Sequence, residues 1–509
     1  MIVWGVTAGS HDAAIAVFVN DELVFAEQSE RSSKIKNDKN LNLQLVTRCI
    51  HAGGGLPEKI YWYENHWLKR LRQLRSGQWR KAFSTETPRK MMDNYLTGVP
   101  IVNIDHHHSH AAAGYYTSKF DNAAVLVIDA IGEFETITMW AGKGNTLKRV
   151  YSQNYPNSLG LWYSAMTHRI GLKPAEEEYI LMGWAALGDP ERLRKRILKD
   201  FFHDDEFSTH YAGKPAGPLV ELTRNVHKGC ADWAPELNTI QDYADIAAAT
   251  QSIYEEYFDQ LLAELHTKVK SDNLVLMGGS ALNCVANRRA YVEYDNVWIM
   301  PSPGDSGSAI GAVLASTKKH IDFNSPYLGH EILGDYPVEE LLKELTTVGI
   351  VGVANGRAEF GPRALGNRSL LADPRGSDIK DRVNEIKRRQ SFRPFAPVIL
   401  EEHLLYYFRP VYGQHHMKVT TSPYMQVVME CKYPDKYPAI VHYDNTSRVQ
   451  TVNKDNHPQL HRLLTLWYKE TGCPMLLNTS LNIKGQPVVD TPDDARAWEA
   501  EYGVKVLTQ

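Results

Sequence analysis

The chain has 509 residues, 43% of them hydrophobic and 23% charged, with 56 lysines and arginines against 60 aspartates and glutamates. These values suit a globular protein of two or three domains at about 150 residues each and exclude a disordered, fibrous or broadly polyanion-binding chain. No run of about eighteen apolar residues predicts a membrane span, and five cysteines without paired or zinc-finger spacing point to a reducing, cytoplasmic setting.

The opening Met1-Ile2-Val3-Trp4-Gly5 lacks a basic flank and a cleavage site and reads as a first strand. A polar turn with His11-Asp12, the strand Ala14–Val19, an Asn20-Asp21 turn and Leu23–Ala26 complete a hairpin. The pattern recurs about 120 residues later, from Ala124 to Asp129 and, past Gly132, from Thr136 to Ala141. Between the two, residues 66–90 hold eight lysines and arginines and a single acid, Glu86, with Trp67, Trp79 and Phe83 interleaved. An amphipathic helix with Leu68, Leu71 and Leu74 packed inward is the simpler expectation; a surface that tracks phosphates and stacks bases is the rival.

The sharpest cluster is Asp105-His106-His107-His108-Ser109-His110, followed by three alanines. Alanine favours helix, so His106 and His110 share a face at i, i+4 and can grip one metal ion. Carboxylates must come from elsewhere, and Asp129 and Asp305 stand at turn tips. Such a set suits iron, zinc or manganese.

A helix is predicted from about Ile240 to Lys270, and then the strand Leu274–Met277. It runs into Gly278-Gly279-Ser280-Ala281-Leu282-Asn283, read as a strand-to-helix turn with N–H groups free for an anion. Pro301–Gly307 enters a small-residue helix, Ser308–Ala315, and sets Asp305 at its start. Residues 322–336 read as a linker, after which a helix (338–345) and a strand (349–353) begin a second unit. The expected domains are 1–325 and 326–509.

The second unit carries Arg357, Arg363 and Arg368 within twelve residues, among glycines and a proline. Lys387, Arg389, Arg393 and Arg448 follow, with Ser480 and Asn482 as polar partners. Arginine's planar fork suits bidentate contact with phosphate, so this group reads as an anion cradle.

On these segments the chain resembles the O-carbamoyltransferase family of nodulation-factor and antibiotic carbamoyltransferases, over essentially its whole length. The matching segments are Ser10-His11-Asp12, the His106–His110 box, Asp129 with Gly132-Glu133, Gly278–Asn283 and Gly304-Asp305. In the second unit they are Glu359–Ser369, Phe392–Pro397 and Asn478-Thr479-Ser480, while Lys387-x-Arg389 and Ser480-x-Asn482 resemble the Lys-x-Arg and Ser-x-Asn signature of the threonylcarbamoyl-adenylate synthase fold. Departures from the usual pattern are Ala130, Gln390, Leu481 and Asp444-Asn445-Thr446.

The resemblance implies an α/β protein, with an actin-like, sugar-kinase-type first domain and a second similar to the threonylcarbamoyl-adenylate synthase. It implies that carbamoyl phosphate and ATP form a carbamoyl-adenylate at the second domain, and that the first passes the carbamoyl group to a hydroxyl beside a divalent metal, commonly iron. On this reading His106, His110, Asp129 and Asp305 hold the metal. Arg363, Lys387 and Arg389 stabilise phosphate charge; Gly278, Gly279, Asn283, Arg448, Ser480 and Asn482 contact nucleotide or carbamoyl. His11, with Asp12, is the candidate general base, and its rival role is a phosphate donor. The favoured acceptor is 5-hydroxymethylcytosine in DNA, as in a phage-type branch. An antibiotic or sugar hydroxymethyl group comes second, and tRNA threonylcarbamoyl transfer or a non-catalytic ATP-binding module are the other readings. No membrane partner is expected, and a homodimer is admitted.

Overall fold

The computed structural model describes residues 1–203, 218–376, 378–390, 393–412 and 415–508; Phe392 of the Phe-Arg-Pro-Phe motif lies outside them. The first half is one folding unit used twice. Strands β1 (Ile2–Thr7), β2 (Ala14–Val19), β3 (Glu22–Gln28), β4 (Lys59–Trp62) and β5 (Ile101–Asn103) form a sheet of order β3-β2-β1-β4-β5. Strands β6 (Asn122–Ile128), β7 (Glu135–Lys143), β8 (Thr146–Asn154), β9 (Asn273–Met277) and β10 (Asn296–Ile299) repeat it as β8-β7-β6-β9-β10. In each sheet the first three strands run antiparallel and the last two join the first in parallel. This duplicated order is the actin-like architecture.

The parallel strands are apolar on both faces because each face is covered. Val125 and Val127 of β6 enter one core with Val275 and Met277, while Leu126 and Ile128 enter another with Leu274 and Leu276. The helix after each sheet's last strand, His106–Thr117 in the first and Ser308–Thr317 in the second, packs against its counterpart across the pseudo-symmetric junction. That approach needs small residues: a Cβ at Gly311 would stand 1.8 Å from the Ser109 carbonyl oxygen. All three β1/β6, β4/β9 and β5/β10 pairs thus deliver their C-terminal ends to one cleft, where ligands of open α/β sheets bind.

The second half is built on a six-stranded mixed sheet in the order Gln450–Val452, Ala396–Leu400, Met475–Ser480, Arg368–Ala372, Ile350–Ala354, Val506–Leu507. Helices Val338–Thr347 and Pro458–Thr471 cover one face, with Leu371, Val398 and Leu476 beneath them. Residues 322–336 are only partly the expected linker. Tyr327–Ile332 is a strand paired with Gly356–Glu359, because Leu328 and Ile332 have a buried side to fill.

The two halves are tied by buried charge. Arg48 bridges Glu27 (2.7 Å) and Asp490 (2.8 Å), and Arg31 donates to the Gly361 carbonyl (3.1 Å). Among the described residues no helix is long and apolar enough to cross a membrane.

Candidate active site

The cleft gathers His106, His110, Asp129 and Asp305, all buried, with one ligand atom from each lying within 4.8 Å of the others. His106 Nε2 is 3.0 Å from Asp129 Oδ2 and 3.6 Å from Asp305 Oδ1; His110 Nε2 is 3.3 Å from Asp305 Oδ1. The two Nε2 atoms are only 3.1 Å apart. The same Nε2 atoms face the carboxylates of Asp129 and Asp305, and both Nδ1 atoms are buried without a partner. A nitrogen–oxygen set of this kind, carrying two carboxylate charges, fits a divalent cation.

Each ligand has a local reason for its place. The His106 helix begins where Glu133, from the second hairpin, accepts the His106 N–H (3.1 Å) and also the Asn65 N–H (2.5 Å). A carboxylate there satisfies donors that the helix leaves free and suits its positive end. Asp129 follows β6, and its Oδ1 accepts the Gly279 N–H at 3.1 Å. Asp305 opens the single turn before the second helix, and its Oδ2 accepts from Ser10 Oγ (3.3 Å), itself 2.6 Å from the Tyr63 hydroxyl. His107 turns away to Thr138 Oγ1 (3.0 Å), which leaves the i, i+4 pair alone on the cleft face.

Electrostatics follow from crowding. Burial disfavours charge on His106, but Asp305, Asp129 and Glu133 outweigh it and lift its pKa to about 9. Burial likewise pushes Asp129 up, yet the His106 hydrogen bond and the neighbouring imidazoles hold it well below the carboxylate range. Glu133 has fewer compensations, and burial raises it to about 7. His11 sits at the rim: Nδ1 is 3.1 Å from Asp12 Oδ2, and Nε2 is 3.7 Å from Asp305 Oδ2. Burial works against its charge, and Asp305 and Asp12 overcome it, raising the pKa to about 10.

The Gly278-Gly279 turn differs from expectation. Gly278 takes a positive φ (+90°), where a Cβ would stand 2.2 Å from the Ile128 carbonyl oxygen. Its N–H is spent on Pro303 O (2.9 Å), and that of Gly279 on Asp129. Residues Gly279–Leu282 then form a 3₁₀ turn and not a helix start. Neither N–H is therefore free for an anion; the turn instead orients Asp129. Asn283 is also occupied, capping Ala286 N–H (3.1 Å) and donating to Gln251 Oε1 (3.0 Å).

A second centre lies in the C-terminal half. The helix Ile379–Ile386 ends at Lys387, and Arg388 adopts a left-handed conformation (φ 49°) before Arg389. Lys387 Nζ donates to Asn482 Oδ1 (2.7 Å) and Ser480 Oγ (3.3 Å), which ties the Lys-x-Arg segment to the Ser-x-Asn segment at the end of a strand. Arg389 donates to Asn384 Oδ1 (2.7 Å) and lies 4.0 Å over the Phe395 ring; Arg393 lies over Tyr179 (4.8 Å). Arg448 has a buried Nε without a partner.

These cations repel one another. Burial first, then Arg389 and Arg393, hold Lys387 well below the usual lysine value. Burial, then Arg448, bring Arg363 down to about 9, and burial with Arg393 and Arg448 depresses Arg389. Among the described residues no carboxylate makes an ion pair with any of the five. Cations held together at such a cost fit a multiply charged anion.

Sequence reasoning left out Ser10, Tyr63, Glu133 in its capping role, and Tyr179. Tyr63 follows β4 as Gly278 follows β9, so the duplication itself was the available signal.

Two family models match the chain: "Carbamoyltransferase N-terminus" over residues 72–314 and "Carbamoyltransferase C-terminus" over residues 342–508. The chain belongs to the carbamoyltransferase family. Nodulation protein U of Rhizobium fredii is 35% identical, across 96% of this chain and 91% of that protein. Nodulation protein NolO of Bradyrhizobium diazoefficiens is 31% identical across 77% and 75%. An uncharacterized Synechocystis protein, sll1178, is 33% identical across 97% and 93%. Among solved structures, a ROK hexokinase from Thermus thermophilus aligns at 15% identity and a TM-score of 0.30, covering 62% of this chain and 98% of its own. Full-length HypF, phosphate- and nucleotide-bound, aligns at 13% identity and a TM-score of 0.35, covering 62% and 46%. The protein is a carbamoyltransferase enzyme.

Proposed function

We propose that this carbamoyltransferase uses ATP and carbamoyl phosphate to carbamoylate a hydroxymethyl group through a carbamoyl-adenylate. The observation that carries the reading is the cradle of Arg363, Lys387, Arg389, Arg393 and Arg448, the first four depressed in pKa and none in a close ion pair among the described residues, Glu177 acting on Arg393 only from farther off. Such a cradle offsets the charge of carbamoyl phosphate and of the pyrophosphate leaving ATP. Water opens carbamoyl phosphate to carbamate and phosphate; a carbamate oxygen then displaces pyrophosphate at the α-phosphorus. Lys387, fixed by Ser480 and Asn482, keeps its charge oriented before substrate arrives.

The acceptor hydroxyl oxygen next attacks the carbamoyl carbon, the bond from that carbon to the AMP phosphate oxygen breaks, and the hydroxyl proton passes to the departing AMP phosphate. His106, His110, Asp129 and Asp305 would hold a divalent metal, Fe(II) in our reading, which supplies Lewis acidity toward the carbonyl or phosphate oxygen. Ser10 and Tyr63 orient Asp305, and Gly279 orients Asp129. His11 bears on Asp12 and Asp305, an arrangement that favours a proton donor to phosphate over a free base. ATP contacts then fall to Ser480, Asn482 and Arg448 of the C-terminal centre more than to Asn283 of the cleft.

The acceptor we favour is 5-hydroxymethylcytosine in DNA, supported by the cationic, aromatic segment 66–90; an antibiotic or sugar hydroxymethyl is the second reading. Arg389→Ala tests the division of labour. It should lower carbamoyl-phosphate-dependent pyrophosphate release by about 10²–10³-fold, yet leave transfer from supplied carbamoyl-adenylate intact. Equal loss of both steps would reject the assignment.

A further inference from the structure

The segment His66–Phe83 is folded inside out. Its helix, His66–Arg75, buries the polar residues Arg72 and Gln73, with Arg72 Nε donating to the Glu133 carbonyl at 3.1 Å. Its apolar residues face solvent: Trp67 is 68% exposed, Leu71 55%, and, after the turn, Trp79 60% and Phe83 71%. Of the leucines expected to pack inward, Leu68 and Leu71 are exposed and Leu74 is half-buried, and Arg72 is a tether rather than a surface charge. Five large apolar side chains, Leu68 included, left in water within eighteen residues call for a partner.

The chemistry of the face narrows that partner. The Arg70 guanidinium lies 5.5 Å over the Trp67 ring, and the Trp79 and Phe83 rings are near parallel at 13° with centroids 6.4 Å apart. Arg75, Arg80 and Lys81, which fall between Trp67 and Phe83 in the sequence, are exposed. Flat π-faces alternating with cations match a polyanion that carries planar rings. A membrane-surface helix instead segregates one apolar face from one charged face. A second copy of this chain, docked two-fold on the same face, would set like cations against each other.

The face is also wired to the metal cleft. Glu133, whose carbonyl accepts Arg72, has the carboxylate that caps the His106 helix and accepts the Asn65 N–H.

We infer that His66–Phe83 is an acceptor-docking platform for single-stranded nucleic acid, with bases stacked on Trp67 and on the Trp79–Phe83 pair and phosphates on Arg75, Arg80 and Lys81. A duplex keeps its bases stacked on each other and has no faces to offer. The inference rests on the nucleobase reading of the acceptor. It is tested apart from that reading by binding of a short, unmodified, dye-labelled oligothymidylate, which has no hydroxymethyl group.

Fluorescence anisotropy should give single-strand binding at least tenfold tighter than that of the same sequence as a duplex with oligoadenylate. Trp67→Ala with Trp79→Ala, which removes two stacking platforms, should weaken it by about thirtyfold or more. Arg80→Ala with Lys81→Ala should flatten its salt dependence. Melting curves check that the variants fold, and both exchanges are at exposed positions. Equal affinity for duplex, indifference to the tryptophan exchanges, or no binding to the oligonucleotide would overturn the inference. So would binding to phosphatidylglycerol vesicles or a tryptophan-dependent dimer in place of oligonucleotide binding. Carbamoylation of free 5-hydroxymethyldeoxycytidine and of single-stranded DNA containing 5-hydroxymethylcytosine is measured in parallel: turnover of either without strand binding refutes the platform and spares the function, and strand binding with neither acceptor carbamoylated refutes the function.

Discussion

The pH dependence of metal affinity puts the tetrad to a quantitative test. In the metal-free protein Asp305, Asp129 and Glu133 hold His106 at about pKa 9, so below that pH its imidazole keeps a proton which a cation must displace. Binding therefore releases a proton, and affinity rises with pH. One displaced proton corresponds to about tenfold, or about 1.4 kcal/mol, per pH unit. Between pH 8 and pH 6 the metal affinity should fall about 100-fold. His11, at about 10 and 3.7 Å from Asp305, adds a second proton if the bound charge also expels it, doubling the logarithmic slope. Titration of Fe(II), or of Zn(II) under air, against a chelator of known affinity at each pH reads the slope, and calorimetry in buffers of different ionisation enthalpy counts the protons. Asp129→Asn, which removes the 3.0 Å partner of His106, should both weaken binding and flatten the slope. A pH-independent affinity would refute the ligand role of His106. In terms of stability, the same raised pKa makes the metal-free protein gain from His106 fully below about pH 6.5 and lose that gain as pH climbs through 9.

The cation cradle and the helix crossing give further tests. Pyrophosphate at about 100 times its Kd should stabilise the protein by ~2.7 kcal/mol, a rise of about 5–10 °C in Tm for a unit of this size, measured by calorimetry; Lys387→Met should abolish the rise, and an unchanged rise would show that the anion sits elsewhere. Gly311→Ala should cost about 1–3 kcal/mol or more, because its Cβ would stand 1.8 Å from the Ser109 carbonyl and force the two central helices apart. Denaturant unfolding reads this, and a neutral effect would contradict the packing described.

Much of the fold and the cleft was legible because it was written twice or written densely. The repeated hairpins at Val3–Ala26 and Ala124–Ala141 announce the duplicated sheets, and the His106/His110 spacing on an alanine-rich helix puts two imidazoles on one face. Carboxylates at turn tips led to Asp129 and Asp305, which the fold brings to the same cleft. What spacing could not convey was competition for hydrogen bonds. Gly278 and Gly279 look like an anion-binding turn, but Pro303 O and Asp129 take their N–H groups. Asn283 looks like a ligand contact and is a cap. Leucines at helical spacing in residues 66–75 suggest an inward stripe, yet the tie between Arg72 and Glu133 turns the helix over. Ser10 stands in the Ser10-His11-Asp12 segment but shows no role there, Tyr63 carries no motif, and the tertiary fold sets Ser10 on Asp305 and Tyr63 on Ser10.

The central claim is that one carbamoyl group, activated over the arginine cradle, ends on a hydroxyl presented at the His–Asp cleft. Carbon-labelled carbamoyl phosphate, ATP and single-stranded DNA containing 5-hydroxymethylcytosine, incubated with the metal-loaded protein, are resolved by mass spectrometry of the digested nucleosides. The expected product carries one labelled carbamoyl unit on the hydroxymethyl oxygen, with one AMP and one pyrophosphate released per unit. Carbamoyl phosphate consumed without AMP formation, or a labelled acceptor obtained in the absence of ATP, would contradict the claim.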